Sequence, residues 1–184
     1  MSNPRNTPRS TPKCVRAEVE IDAPIDRVWK ILNDLPGYGA WNPFTPRVES
    51  SLAIGDPVHL HVRLLTSFGL GDRLMHRVET VTRNAPYTLG WDMKMGARSL
   101  LYAERVQVLT PLAGDRTHYM TEDCFTGWLR PVVLGLFGAS MQRGFLDCGL
   151  GLKKAAESAA PRPSGPHSPA TPHPPADPAR KEHR

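Results

Sequence analysis

From Val58 to Phe125 apolar side chains recur at every second position in one segment after another, and a single long stretch of helical spacing follows. A repeated period of two ahead of one long period near 3.6 restricts the chain to an antiparallel sheet packed on a helix. Val58, Leu60, Val62 and Leu64 alternate with His59, His61 and Arg63, and Leu89, Trp91 and Met93 alternate with Thr88, Gly90, Asp92 and Lys94. Turn residues separate these runs at Gly55-Asp56-Pro57, Gly69 to Asp72, Asn84-Ala85-Pro86 and Gly114-Asp115, where a sheet must reverse direction.

An earlier strand is predicted over Val15 to Ile21, where Val15, Ala17, Val19 and Ile21 alternate with charged residues. Asp22 then caps a short helix whose first turn takes Pro24 and whose apolar stripe is Ile25, Val28, Trp29 and Leu32. Leu35-Pro36-Gly37 ends it, and a second helical turn is expected around Tyr38 to Trp41. The last element runs from Pro131 to Ser158 with a stripe of Val133, Leu136, Phe137, Met141, Phe145, Cys148 and Leu152. Its five glycines, Gly135, Gly138, Gly144, Gly149 and Gly151, each weaken a helix by up to about 1 kcal/mol, so tertiary packing has to hold it.

The ends differ in kind. Residues 1–13 and 159–184 are rich in proline and poor in large apolar side chains, so both are expected to be disordered arms around one domain over 14–158. About 145 ordered residues suffice to bury roughly 70% of the unfolded surface, so the core needs no staples. The three cysteines, Cys14, Cys124 and Cys148, are odd in number and widely spaced. Neither a disulfide framework nor a zinc site is expected, and a cytoplasmic setting follows. The net charge of +5 comes largely from arginines and lysines in the arms, which leaves the domain without a basic stripe for nucleic acid. There is no apolar run of membrane-spanning length.

The order of elements, together with Val19-Glu20-Ile21-Asp22-Ala23-Pro24 leading to Val28-Trp29, Tyr38 to Pro43, Pro86 to Trp91, Val106 to Gly127 and Phe145 to Glu157, resembles the START-like, Bet v 1-like (SRPBCC) superfamily, especially its polyketide cyclase/dehydrase branch. The resemblance implies an α+β helix-grip fold: a curved seven-stranded antiparallel sheet wrapped around the long C-terminal helix, with two short helices after the first strand. It also implies an internal cavity for a hydrophobic small molecule. The superfamily shares no one catalytic motif, so it assigns no residue a role.

Two functions follow as expectations. One is binding of a lipid-like, aromatic or polyketide-like molecule, with Leu60, Val62, Leu64, Phe68, Leu70, Leu89, Trp91, Met93, Tyr102, Phe137, Met141 and Phe145 lining the cavity. The other is a cyclase, aromatase or dehydratase that needs no cofactor, with Glu104, Tyr102 and His76 as acid/base groups. Alternation sets Glu104 on the face of Leu100, Tyr102, Val106 and Val108, where burial would raise its pKa into a range useful for proton transfer. The bland reading pairs it with an arginine such as Arg143. Tyr119 and Asp123 are further hydrogen-bonding candidates, and the parity of the strands carrying His76, Glu79 and Asp123 is left open. A third function, a co-chaperone-like partner surface, would use the outer face of the sheet.

His59 and His61 share one face at a spacing that can ligate a metal, but no third ligand accompanies them in sequence, so a solvated face is expected instead. Cys148 reads as an inert core thiol. Phe68 and Leu70, set between Gly69 and Gly71, either form a lid over the cavity or plug the end of the core.

Overall fold

The structure is a computed structural model that describes residues 13–64 and 73–158. Phe68 and Leu70, and with them the lid or plug, lie outside the described residues, as do the arms except for Lys13. The chain runs β1 (Lys13–Ile21), α1 (Ile25–Asn33), a 3-10 turn (Leu35–Gly37), α2 (Tyr38–Trp41), β2 (Arg47–Glu49), β3 (Pro57–Leu64), β4 (Arg73–Ala85), β5 (Thr88–Met95), β6 (Leu101–Leu112), β7 (Arg116–Thr126) and α3 (Arg130–Ser158). The seven strands form one antiparallel sheet in the order β1-β7-β6-β5-β4-β3-β2. This is the expected helix-grip α+β fold, with α3 lying in the sheet's concave side against β1 and β7.

The local causes are visible in each element. β1 buries Val15, Ala17, Val19 and Ile21 and exposes the charged residues between them. α1 starts at Ile25 with Pro24 in extended conformation ahead of it and no side-chain cap. Asp22 therefore does not cap this helix. Its backbone N–H instead donates to Glu157 Oε1 at 2.8 Å, tying the β1–α1 junction to the end of α3. Pro36 prevents α1 from continuing, and Tyr38 Oη returns to donate to the Leu32 carbonyl at 2.7 Å. A register shift in the β4–β5 ladder between Val81 and Arg83 interrupts the pairing midway, as bulges do where a sheet must bend.

Three of the five glycines of α3, Gly144, Gly149 and Gly151, are explained by what lies against them. A Cβ on Gly144 would overlap the Phe44 ring, and one on Gly151 would overlap the Trp41 carbonyl oxygen. The helix gives up propensity so that its backbone can approach α2 and the segment after it. Met141, Phe145, Cys148, Leu152 and Ala156 point inward with these glycines, while Leu136 and Phe137 are only half-buried.

The cysteine reading is corrected. Cys14 and Cys124 face each other across the β1–β7 ladder and form a disulfide with Cα atoms 4.1 Å apart, joining positions 110 residues apart. Spacing along the chain cannot show such a pair, because only the strand register brings it together. With two of the three cysteines bonded, the expected reducing compartment has no support from the thiols. Cys148 is free and buried, and among the described residues no helix is long and apolar enough to cross a membrane.

Candidate functional site

The concave face of the sheet is where chemistry converges. β6 buries Leu101, Ala103, Arg105, Gln107 and Leu109, and leaves Tyr102, Glu104, Val106 and Val108 on the opposite face. β7 turns Thr117, Tyr119, Thr121 and Phe125 into the core. On β4 the inward parity belongs to Arg77, Glu79 and Val81, since the cavity and core take these three while Leu74, His76 and Val78 are exposed.

Glu104, Tyr102 and His76 are thus not brought together in the interior. Glu104 accepts from Thr82 Oγ1 at 3.3 Å and pairs with Arg83 at 3.0 Å on the outer side. Tyr102 carries the Arg98 guanidinium 4.0 Å above its ring, and its hydroxyl is pushed up to about 12, first by burial and then by the charges of Glu104 and Asp92. The error has a plain origin. β6 has apolar residues at both parities, and its inward parity holds a charged residue, Arg105, where a hydrophobe is expected.

What the interior does hold is a cavity of about 30 Å³ between Phe44, Leu60, Val62, Leu64, Trp91, Met93, Ala103, Met141 and Phe145 on its apolar side and Arg77, Glu79, Arg105 and Asp123 on its polar side. Seven of the expected lining residues are present: Leu60, Val62, Leu64, Trp91, Met93, Met141 and Phe145. Leu89 is fully buried in the core behind them, Phe137 sits on the core's margin, and Tyr102 is on the other face. A space of this size holds about one water molecule, so among the described residues this part of the interior is nearly filled, and four charged groups stand where an apolar lining is expected. A larger concavity, about 690 Å³, opens on the outside between α2 and the end of α3, and among the described residues Asp147 and Lys154 are the charged groups on its wall.

Arg105 organises the polar side. It is 7% exposed. Its Nε donates to Thr121 Oγ1 at 3.1 Å and its Nη2 reaches Cys148 Sγ at 3.9 Å, while the guanidinium lies 4.3 Å from the centre of the Phe145 ring and 5.9 Å from that of Trp91. Burial works against its charge, but Cys148, Tyr119, Asp123 and Tyr38 outweigh burial and hold the guanidinium protonated more firmly than usual. Next to it, Tyr119 Oη donates to Gln107 Oε1 at 2.8 Å. Removal from water pushes the hydroxyls of Tyr119 and Tyr38 well up, so both stay neutral donors.

Asp123 lies directly across the β6–β7 ladder from Arg105. The residue keeps part of its surface exposed, yet its Oδ1 is withdrawn from solvent and has no hydrogen-bond partner. Burial pushes its carboxyl up to about 7, the charge of Glu79 pushes the same way, and Arg105 and Arg77 oppose them. Glu79, paired with Arg77 Nε at 3.6 Å, is also raised, chiefly by burial, with Asp92 adding to the effect. An unsatisfied buried carboxyl beside a fixed cation is costly to fold around and is the kind of perturbed pair that marks reactive sites. Sequence reasoning reached Asp123 only as one of several hydrogen-bonding candidates and did not single out Arg105. The charged residue at an inward parity of β6 was the available signal.

Over residues 12–157 the chain matches the family described as polyketide cyclase/dehydrase and lipid transport. No curated protein matches it significantly. Among solved structures it is similar to the Zhui aromatase/cyclase of Streptomyces sp. R1128, at 18% identity and TM-score 0.61, covering 80% of this chain and 94% of that one. It is also similar to a START superfamily protein of Mycobacterium smegmatis, at 18% identity and TM-score 0.58, covering 80% and 99%. A hypothetical protein of Helicobacter pylori aligns at 15% identity and TM-score 0.59, covering 85% and 97%. At such identities these likenesses show the fold alone.

Proposed function

The chain belongs to the polyketide cyclase/dehydrase and lipid transport family, and from that premise we propose that its interior binds a small molecule with an apolar body and a carbonyl oxygen, and moves a proton on it. The observation that supports chemistry over carriage is Asp123. A carboxyl near 7 is divided between acid and base at neutral pH, which is where proton transfer is most effective.

The roles follow from position. The apolar body lies against Phe44, Leu60, Val62, Trp91 and Phe145. The carbonyl oxygen lies beside Arg105, whose guanidinium, held by Thr121, stabilises the negative charge that grows there when an enolate forms. Asp123 removes the proton from the adjacent carbon. In a cyclisation the enolate carbon then attacks a second carbonyl of the same molecule, and the acid form of Asp123 returns the proton to the new alkoxide. In a dehydration the Asp123 carboxylate then removes a second hydrogen from the α-carbon, the enolate closes a carbon–carbon double bond by expelling the hydroxyl group, and the acid form of Asp123 protonates that group as it leaves as water. Ligands of this class occupy far more than 30 Å³, so admission requires side chains to move. Met93 and Met141, unbranched and adaptable, and the partly exposed Arg77 are the parts of the lining that can.

A ketone with slow spontaneous exchange tests this without knowledge of the natural substrate. In D2O the protein is expected to accelerate exchange of the α-hydrogens of 1-tetralone, followed by proton NMR, and Asp123→Asn is expected to lose at least tenfold of that acceleration. Binding of 1-tetralone with no acceleration, or equal acceleration by the variant, would leave a carrier and remove the acid/base reading.

A further inference from the structure

The convex face of the sheet carries a cluster that neither the cavity nor its chemistry uses. β3 buries Val58, Leu60, Val62 and Leu64, which turns His59 and His61 outward. In the β3–β4 ladder His61 stands directly opposite His76, and His59 is opposite Val78, two residues further along. The third imidazole that the sequence of β3 lacks is thus delivered by its neighbour. His59 Nδ1 and His76 Nε2 are 3.3 Å apart. The His59 and His76 rings lie nearly parallel, 5.5 Å between centres, and the His61 ring centre is 5.0 Å from that of His76.

We propose that His59, His61 and His76 form a binding site for a divalent transition-metal ion of the zinc and copper class. The separation carries the inference: two nitrogens bound to one tetrahedral ion at about 2.0–2.1 Å stand about 3.4 Å apart, close to the 3.3 Å between His59 and His76. The three imidazoles do not converge as they stand: His59 and His76 are at ligand separation, and the His61 ring, centred 5.0 Å from that of His76, has to turn to bring a third nitrogen within reach. Imidazole sets of this kind suit zinc, copper and nickel rather than magnesium or calcium.

A carboxylate stands next to the cluster as well. Glu49 on β2 is opposite His59, and Arg47 opposite His61. Arg47 Nε donates to Glu49 Oε1 at 2.7 Å, which engages that carboxylate, so a water takes the fourth position. The opposite faces of these strands supply Leu60, Val62, Arg77 and Glu79 to the cavity. An ion bound outside would therefore clamp the pairing of the strands that form the cavity wall.

The test uses the full chain, free of any affinity tag and without reductant so that Cys14 and Cys124 stay bonded. Calorimetric titration with Zn2+ alone is expected to show one equivalent bound at micromolar affinity or tighter, weakened at least tenfold by His76→Ala and by His61→Ala. The electron paramagnetic resonance spectrum of the Cu2+ form is expected to show nitrogen ligation from imidazoles, a readout on the unaltered chain that does not depend on how the variants fold. Saturating Zn2+ should raise the melting temperature by about 5–10 °C at a hundredfold excess over Kd. Binding weaker than millimolar, or binding unchanged in a His61→Ala/His76→Ala double variant, would overturn the site. The second result would place the ion on other groups, such as His167, His173 and His183 beyond the domain.

Discussion

Replacing Asp123 with asparagine separates the electrostatic cost of the cavity from its shape. The folded carboxyl is pushed up to about 7 from an ordinary 3.8, so the native state binds this proton more tightly than the unfolded chain does. Stability from this group is therefore fully present below pH 3.8. It falls as pH rises through the window from 3.8 to about 7 and is level above it, because there both states are ionised. Each pH unit within the window costs about 1.4 kcal/mol, and the three units together about 4 kcal/mol. Between pH 5 and pH 8 about 2–3 kcal/mol of this is lost. Asparagine keeps the outline of the protonated acid and cannot ionise, so the variant lacks this slope. Urea unfolding of both proteins at pH 5 and pH 8 reads the difference. The wild type is expected to lose about 2–3 kcal/mol more than the variant over the interval, with Glu79 titrating as part of the same pair. Parallel profiles, within about 0.5 kcal/mol, would mean that Asp123 is ionised throughout, and the proton-transfer role would go with it.

Four further expectations rest on other parts of the molecule. Arg105→Met removes the cation that opposes the burial of Asp123, so at neutral pH stability is expected to fall by about 3–5 kcal/mol, while 1-tetralone exchange by the folded variant falls at least tenfold, and unimpaired exchange would show that the guanidinium does not face the reacting oxygen. Gly151→Ala drives a methyl group into the Trp41 carbonyl and should cost about 1–3 kcal/mol in denaturant unfolding, whereas Gly135→Ala, with open space around it, should gain up to about 1 kcal/mol. Glu104→Gln weakens only contacts with Arg83 and Thr82 away from the cavity, so stability should fall by no more than about 1 kcal/mol and tetralone exchange should be unchanged; a loss of exchange would return Glu104 to the mechanism. Cys14→Ser opens a loop of 110 residues and is expected to lower stability by about 2–4 kcal/mol in non-reducing buffer, with no difference from wild type once dithiothreitol is present.

Periodicity alone determined the order of elements, the α+β class and the inward faces of β1, β3 and β5, because in those strands the apolar parity is clean and one face must leave water. Val58, Leu60, Val62 and Leu64 admit one orientation. Where a strand carries hydrophobes on both faces, the same logic has no purchase, and only packing against α3 decided that Arg105 and Gln107 point in while Glu104 and Tyr102 point out. That ambiguity falls on the functional strands for a physical reason: a reactive interior requires charged groups at positions that burial would otherwise give to hydrophobes, so the local pattern is broken where the chemistry sits. Register settled the remainder. The pairing of Cys14 with Cys124, of Arg105 with Asp123 and of His61 with His76 joins residues from different strands, and no spacing along one strand encodes which partner the sheet sets opposite it.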